Sequence, residues 1–257
     1  LIYAIKEVQA GNFNATVHYT NQDEFQYLYQ AFDDMTRDLQ ELIHMVYEQK
    51  LLAQRSELKQ LQSQINPHFL YNSFFNIYRM AKDEDNENIA AFSQYLGTYY
   101  QYITRNAQEN VCLSAEYDNA RTYLNIQGMR FHNRLKITME ELPENAQNII
   151  VPRLILQPVI ENAFEHGLKT VEYPMICVTC CEAADGFSIS IEDNGPALST
   201  EELTNLEAKL HCYDVMAETT GIVNIHRRLQ LFFNSKSGIV LMKSKLGGLK
   251  VTISLPK

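Results

Sequence analysis

Four short blocks of the chain carry residue types that can do chemistry at useful spacings. The first is Asn66-Pro67-His68-Phe69-Leu70-Tyr71-Asn72. Imidazole, with an ordinary pKa of about 6.5, keeps a neutral ring nitrogen at neutral pH, so His68 can act as a nucleophile. Asn72 follows one helical turn later on the same face. Its amide can hold a water beside a modified His68, or it can simply pack between helices. The second block is Gln157-Pro158-Val159-Ile160-Glu161-Asn162-Ala163-Phe164-Glu165-His166-Gly167. A Glu-Asn pair is out of character beside the apolar Leu154, Ile155, Val159 and Ile160. An asparagine carbonyl is a hard oxygen ligand suited to Mg²⁺, which keeps waters and phosphate oxygens around it. The third block, Asp193-Asn194-Gly195, ends a strand pattern in a turn. It offers a carboxylate acceptor and a glycine that lets backbone come close. The fourth opens at Gly221 and runs through Asn224, Arg227 and Arg228. Glycine ahead of a helix start exposes amides to phosphate.

Size and composition bound what these blocks can belong to. A chain of 257 residues makes one to three folding units. A net charge of −9 argues against a nucleic-acid surface, which needs a basic footprint. The five cysteines include Cys177-x-x-Cys180-Cys181, but no second pair completes a zinc site. That run reads instead as a buried strand, and an odd cysteine count fits a reducing compartment. No apolar run reaches the roughly 18 residues of a membrane span, and no signal peptide is visible. The opening at Leu1 falls in mid-pattern. It reads as the cytosolic fragment of a longer protein that meets a membrane only through upstream segments.

Periodicity supplies the elements that must position the blocks. Leu1 to Gly11 reads as the end of an amphipathic helix, with Gly11 as its stop. A connector from Asn12 to Gln22 follows, and Asp23 and Glu24 open a second helix. Phe25, Leu28, Phe32, Met35, Leu39, Leu42 and Val46 alternate at three- and four-residue spacing, which is a coiled-coil seam. A second stripe, Leu51, Leu58, Leu61 and Ile65, is out of phase with it, and such a break over- or under-winds a coiled coil. Pro67 predicts a kink beside His68. Residues 83 to 88 break two helices. The next, Ile89 to Asn106, packs back antiparallel on the helix of His68, and two copies make a four-helix dimer bundle. Ser114 reads as the N-cap of a helix running to about Asn133. Strands are expected at 135–140, 175–181, 187–193, 238–243 and 249–255. Helices are expected at 152–166, 200–210 and 221–233. The fold class is therefore multidomain: helical coiled coil and hairpin, then a two-layer α/β sandwich.

In this order the four blocks resemble the sensor histidine kinases of the LytS/YesM-like type, over nearly the whole chain. The resemblance implies a Bergerat-type ATP-binding fold and a division into three parts. These are a HAMP-like signalling domain at 1–46, a dimerisation and phosphotransfer hairpin at 47–112, and a catalytic domain at 113–257. For the first part an ordinary coiled-coil stalk is the other reading. The resemblance makes His68 the phosphoacceptor for the γ-phosphate of ATP and a response-regulator aspartate the next acceptor. It gives Asn162 the Mg²⁺, Asp193 and Gly195 the adenine, and Gly221 and Asn224 the phosphate side. His166 and Lys169 add phosphate contacts; for His166 a plain helix-end role stays open. Phe69 stands where the commonest histidine kinases have an acid. The base must then come from elsewhere, and Glu161 is the candidate.

This chain departs from the family pattern at three places. Thr219 stands where the first glycine of Gly-x-Gly falls, Pro196-Ala197 replaces a second glycine after Gly195, and Leu249 replaces a threonine. They motivate an alternative reading as a degenerate kinase, a dimeric scaffold or phosphatase that binds nucleotide weakly. A third reading, another ATPase of the same fold, is opposed by the Asn-Pro-His-Phe box and the coiled-coil input.

Overall fold

The computed structural model describes residues 2–13, 25–63, 67–104, 109–131, 134–183, 186–211, 221–234 and 237–256. The chain divides into two compact units, Leu1–Pro67 and His68–Lys257.

In the first unit, α1 (Ile2–Gln9) ends at Gly11, whose φ of +92° is left-handed and needs glycine. Most of the expected connector, and Asp23-Glu24, lie outside the described residues. The second helix, α2, spans Gln26–Ser63. Along its seam Phe25, Leu28, Met35, Leu42 and Val46 stay exposed, while Phe32 is buried together with Ala4 and Thr36. The helix is continuous between Val46 and Leu51. The out-of-phase stripe itself lies outside the residues whose side chains are described.

The second unit opens within α3 (Pro67–Lys82), one residue after its start. Pro67 is its first residue, where a missing N–H leaves no intrahelical bond unmade. The sequence reading had it inside a helix; residues 64–66, where a kink would fall, lie outside the description. Phe69, Ser73, Asn76 and Met80 form the buried stripe of α3, and Phe92, Leu96, Tyr99 and Ile103 that of α4 (Asn86–Thr104). Phe69 near the start of α3 meets Tyr99 near the end of α4, with ring centroids 5.0 Å apart, so the two helices run antiparallel as expected. Asp85 holds the turn by accepting from the Asn88 N–H at 3.3 Å.

The α/β part follows as β1 (Asn110–Cys112), α5 (Leu113–Arg130), β2 (Lys136–Met139), β3 (Ile150–Pro152), α6 (Gln157–Asn162), β4 (Met175–Ala183), β5 (Gly186–Asp193), α7 (Thr200–His211), α8 (Gly221–Phe232), β6 (Gly238–Lys243) and β7 (Leu249–Pro256). Five strands form one sheet in the order β2-β4-β5-β7-β6; β2 and β4 are parallel and the other neighbours antiparallel. Alternation sorts the two faces. Phe187, Ile189 and Ile191 of β5 and Val251, Ile253 and Leu255 of β7 are buried in the core. The opposite face is polar: Ser190 bonds Thr252 at 3.1 Å and Lys250 pairs with Glu192 at 2.9 Å. The two-layer sandwich is thus as expected.

Three local expectations need correction. The N-cap of α5 is Cys112, not Ser114, because β1 pairs with β3 and delivers the chain two residues earlier. The Leu113 and Ser114 amides instead donate to the Ile149 and Gln147 carbonyls. The helix expected from Pro152 starts only at Gln157, since Pro152 ends β3 and Leu154 takes a left-handed φ of +56°. Of the cysteine run only Cys180 is buried, because Cys177 points to the polar face and Cys181 lies near the strand end. No helix among the described residues is long and apolar enough to cross a membrane.

Ile189 is fully buried at the middle of the central strand. Ile189→Ala should cost about 2–5 kcal/mol of unfolding free energy in urea, the usual range for such a truncation. A loss well below about 1 kcal/mol would mean that the sheet is not packed this way.

Candidate active site

The site is built around the last residue of β5. Asp193 is 4% exposed, and its Oδ1 accepts the Gly195 N–H at 2.8 Å and the Leu249 N–H at 3.4 Å. Its carbonyl accepts the Gly248 N–H at 3.1 Å. Glycines crowd this carboxyl because nothing larger fits. A Cβ on Gly248 would stand 2.0 Å from Oδ1, one on Gly167 2.8 Å from the same atom, and one on Gly195 2.6 Å from the Gly167 Cα. Burial pushes the Asp193 carboxyl above the usual carboxylate range, against the pull of the two N–H groups. Its Oδ2 accepts no hydrogen bond among the described residues, and Asp193 lines a cavity of about 310 Å³.

The second block reaches this cavity through an irregular helix. After α6 the backbone widens into a π turn, Ala163–Gly167, closed by the Leu168 N–H on the Ala163 carbonyl at 2.8 Å. Asn162 and His166 both line the cavity, at its polar side. Leu198, Leu206, Ile222 and Leu249 supply apolar walls. Lys209 of α7 also lines it, and nothing in its sequence context pointed to that.

The other expected site residues are placed less directly. Gly195 packs on Gly167 behind Asp193. Lys169 is exposed just beyond the π turn, outside the cavity wall. Gly221 begins α8 and Asn224 is exposed on it. A Cβ on Gly221 would make only an ordinary 3.5 Å contact with Pro158. Thr219 lies outside the described residues. A separate recess of about 680 Å³ bounded by α7, α8 and β6 contains none of the expected site residues.

Glu161 belongs to a different layer. Its carboxylate accepts from Gln157 Nε2 at 2.9 Å, and the same nitrogen donates to the Tyr99 hydroxyl at 2.6 Å. Asn119 Nδ2 closes the group on Gln157 Oε1 at 3.0 Å. Burial raises the Glu161 pKa, opposed by the Gln157 bond and reinforced by Glu165. Tyr99 meets Phe69 at a tilt, and Phe69 stacks on the Tyr123 ring at 5.4 Å. The residue next to His68 thus sits in the aromatic cluster above Glu161. His68 is exposed on α3 and does not line the cavity; Asn72 Nδ2 lies 3.1 Å from its Nε2.

One polar centre was missed. Glu116 is completely buried and accepts the N–H groups of Leu154 at 2.6 Å, Ile155 at 2.9 Å and Leu156 at 3.4 Å, together with the Tyr102 hydroxyl. In sequence it is an ordinary first-turn acid, indistinguishable from one that serves the helix dipole.

A helical hairpin bearing an exposed histidine, packed on an α/β sandwich with an aspartate-asparagine cavity, is the class of architecture of a histidine kinase core. A family model described as histidine kinase matches residues 56–135. The whole chain aligns at 30% identity with the sensor histidine kinase YesM of Bacillus subtilis, covering 44% of it. The sensor histidine kinase BtsS of Escherichia coli is 27% identical over 81% of this chain and 35% of its own length. The sensor protein LytS of Staphylococcus epidermidis is 27% identical over 76% of this chain and 33% of its own. Among solved structures, the ATP-binding domain of PrrB from Mycobacterium tuberculosis aligns with 57% of this chain and 95% of its own, at 19% identity and a TM-score of 0.39. The chain is thus similar to sensor histidine kinases of the LytS/YesM-like type, and spans less than half the length of these relatives.

The raised Glu161 pKa fixes the sign of a pH effect. A carboxyl whose folded pKa lies above its ordinary 4.5 binds more protons folded than unfolded, so its burden on stability is absent below 4.5 and grows as pH rises through the folded value. Glu161→Gln should therefore melt like the parent at low pH and above it near neutrality. A gap that is constant with pH would remove burial as the cause.

Proposed function

We propose that the chain is the cytoplasmic kinase portion of a two-component sensor, in which ATP phosphorylates His68 and the phosphoryl group passes to a response-regulator aspartate. The observation that carries this reading is the meeting of Asn162, His166 and Asp193 in one cavity, within the same compact unit as His68. The division into a HAMP-like part at 1–46, a hairpin at 47–112 and a catalytic part at 113–257 goes with it.

The cavity suits a purine and its phosphates. Asp193 Oδ2 is the free acceptor for an exocyclic amino group, and the apolar walls can cover a flat ring. The Asn162 side-chain carbonyl is the hard oxygen that would hold Mg²⁺. His166 and Lys169, with Gly221 and Asn224 on α8, are the residues proposed to contact the phosphates. Bound Mg²⁺ would neutralise charge that develops on the phosphate oxygens during transfer. A ring nitrogen of His68 forms the new P–N bond as the bond from phosphorus to the bridging oxygen of ATP breaks. ADP leaves, and the imidazole proton passes to a base, for which Glu161 is proposed. Asn72, 3.1 Å from the ring, would hold a water for hydrolysis of the phosphohistidine, in which the P–N bond breaks and inorganic phosphate leaves.

Incubation with γ-labelled ATP and Mg²⁺ should give an acid-labile, alkali-stable phosphate that His68→Gln abolishes while nucleotide binding persists. Label retained at the parent rate would rule out His68. Asn162→Asp should impair Mg²⁺-dependent binding and Asp193→Asn base recognition; unchanged calorimetric affinity in both would remove the ATP site.

Leu249 favours the degenerate alternative, because an apolar side chain lines the cavity where the family pattern has a hydroxyl. Its backbone contact to Asp193 is nevertheless kept. Parent affinity is expected at about 0.1–1 mM, near the weak end for enzyme substrates. Binding without any transfer to His68 is the result that selects the scaffold reading.

A parallel homodimer is part of the proposal. Besides the exposed α2 seam, α3 shows an uncovered aromatic stripe, Tyr71, Phe74, Phe75 and Tyr78, opposite its buried one. This is the face a second copy would cover in a four-helix bundle. Sedimentation as a monomer at tens of micromolar would contradict it.

A further inference from the structure

The helical hairpin touches the α6 region through two hydroxyls that the proposed mechanism does not use. Tyr99 and Tyr102 lie three residues apart on α4, hence on one face. The Tyr99 hydroxyl accepts from Gln157, the first residue of α6. The Tyr102 hydroxyl donates to Glu116, whose two oxygens also take the three successive amides of Leu154, Ile155 and Leu156. Those amides belong to the turn that feeds α6, and Leu154 there holds a left-handed φ of +56°. A leucine stays in that region only where its surroundings fix it, and such strain gathers where positioning matters. On the other side of Tyr102 the Arg153 guanidinium covers the ring at 4.8 Å, and the Arg153 carbonyl accepts from Arg228 of α8. One tyrosine of the hairpin is thereby bonded to the start of α6 and, through Arg153, to α8. These two helices flank the cavity: Asn162 ends α6, and Ile222 and Val223 of α8 line the wall.

From this geometry we infer that Tyr102, with Tyr99 as its second contact, is a positioning residue for the nucleotide site: through Glu116 and Gln157 it sets α6, so that the docked hairpin and bound nucleotide favour each other. The inference rests on the proposed nucleotide reading of the cavity. Coupling between sites is reciprocal in binding free energy, which makes it measurable from both ends. Removing the Tyr102 hydroxyl leaves Glu116 its three amides but cuts the hairpin's share. The nucleotide site then loses the hairpin's bias while the fold keeps its turn.

The test uses the full chain, trinitrophenyl-ATP with Mg²⁺ for affinity, and amide hydrogen exchange along α4 with and without ATP. In the parent, ATP slows exchange in α4, although no α4 residue lines the cavity. Tyr102→Phe should weaken nucleotide binding by about fivefold or more, the lower range of allosteric coupling, and shrink that slowing. A variant that melts lower but binds nucleotide like the parent makes Tyr102 a stabilising residue only and overturns the inference. So does a parent in which ATP leaves α4 exchange unchanged. If Tyr102→Phe does not fold, Tyr99→Phe carries the same expectation through Gln157. A parent with no affinity for the nucleotide probe overturns the reading of the cavity and this inference together; a parent that binds, with both tyrosine variants unaltered, overturns the inference alone.

Discussion

A single carboxylate oxygen, Asp193 Oδ1, organises the cavity end of the α/β part. Three stretches of chain come within van der Waals reach of it: the turn after β5 through Gly195, the π turn through Gly167, and the β6–β7 hairpin through Gly248 and the Leu249 amide. A buried carboxyl has to be met by donors, or its desolvation raises its pKa and weakens the fold. Two backbone N–H groups do this, and they come from different loops. The donors can approach only because their flanking residues lack Cβ atoms. Hydrogen bonding and steric access therefore impose the same requirement on glycine, and the other oxygen accepts no hydrogen bond among the described residues.

This explains which family departures matter in space. Leu249 contributes an amide to Asp193 whatever its side chain, so its substitution changes the wall of the cavity but not the clamp. Gly247 adopts a φ of +121°, which a residue with a side chain would resist. The hairpin thus keeps the backbone features that the aspartate needs. Pro196 lines the cavity, as Leu249 does, and Ala197 is exposed; neither enters the clamp on Asp193.

Much of the architecture was legible in the sequence because its signals are local. The strand at 249–255 alternates cleanly, 238–243 carries a short apolar run, and α7 and α8 have apolar stripes bounded by Thr200 and Gly221. His68 stood out through its neighbours, and Asp193 and Asn162 through polar types in apolar runs. What stayed hidden depends on partners far along the chain. Pro152 looked like a helix start because its pairing with Asn110 in β1 is long-range. Ser114 looked like a cap for the same reason. Glu116 and Gln157 are ordinary helix residues until Tyr102 and Tyr99 are brought onto them. Lys209 lines the cavity only because α7 crosses the sheet beside β6.

The π turn at Ala163–Gly167 also bears on how this segment tolerates change in length. A π turn holds one residue more than an α turn, as a helix does after absorbing a one-residue insertion. Removing one residue here would let the helix close into regular α form. Because such a turn takes up its extra residue locally, the chain beyond it would keep its direction, and Gly167 could stay against Asp193. The place of Gly167 is set by a carboxylate on a neighbouring strand, while the stretch between it and Asn162 carries one residue of slack.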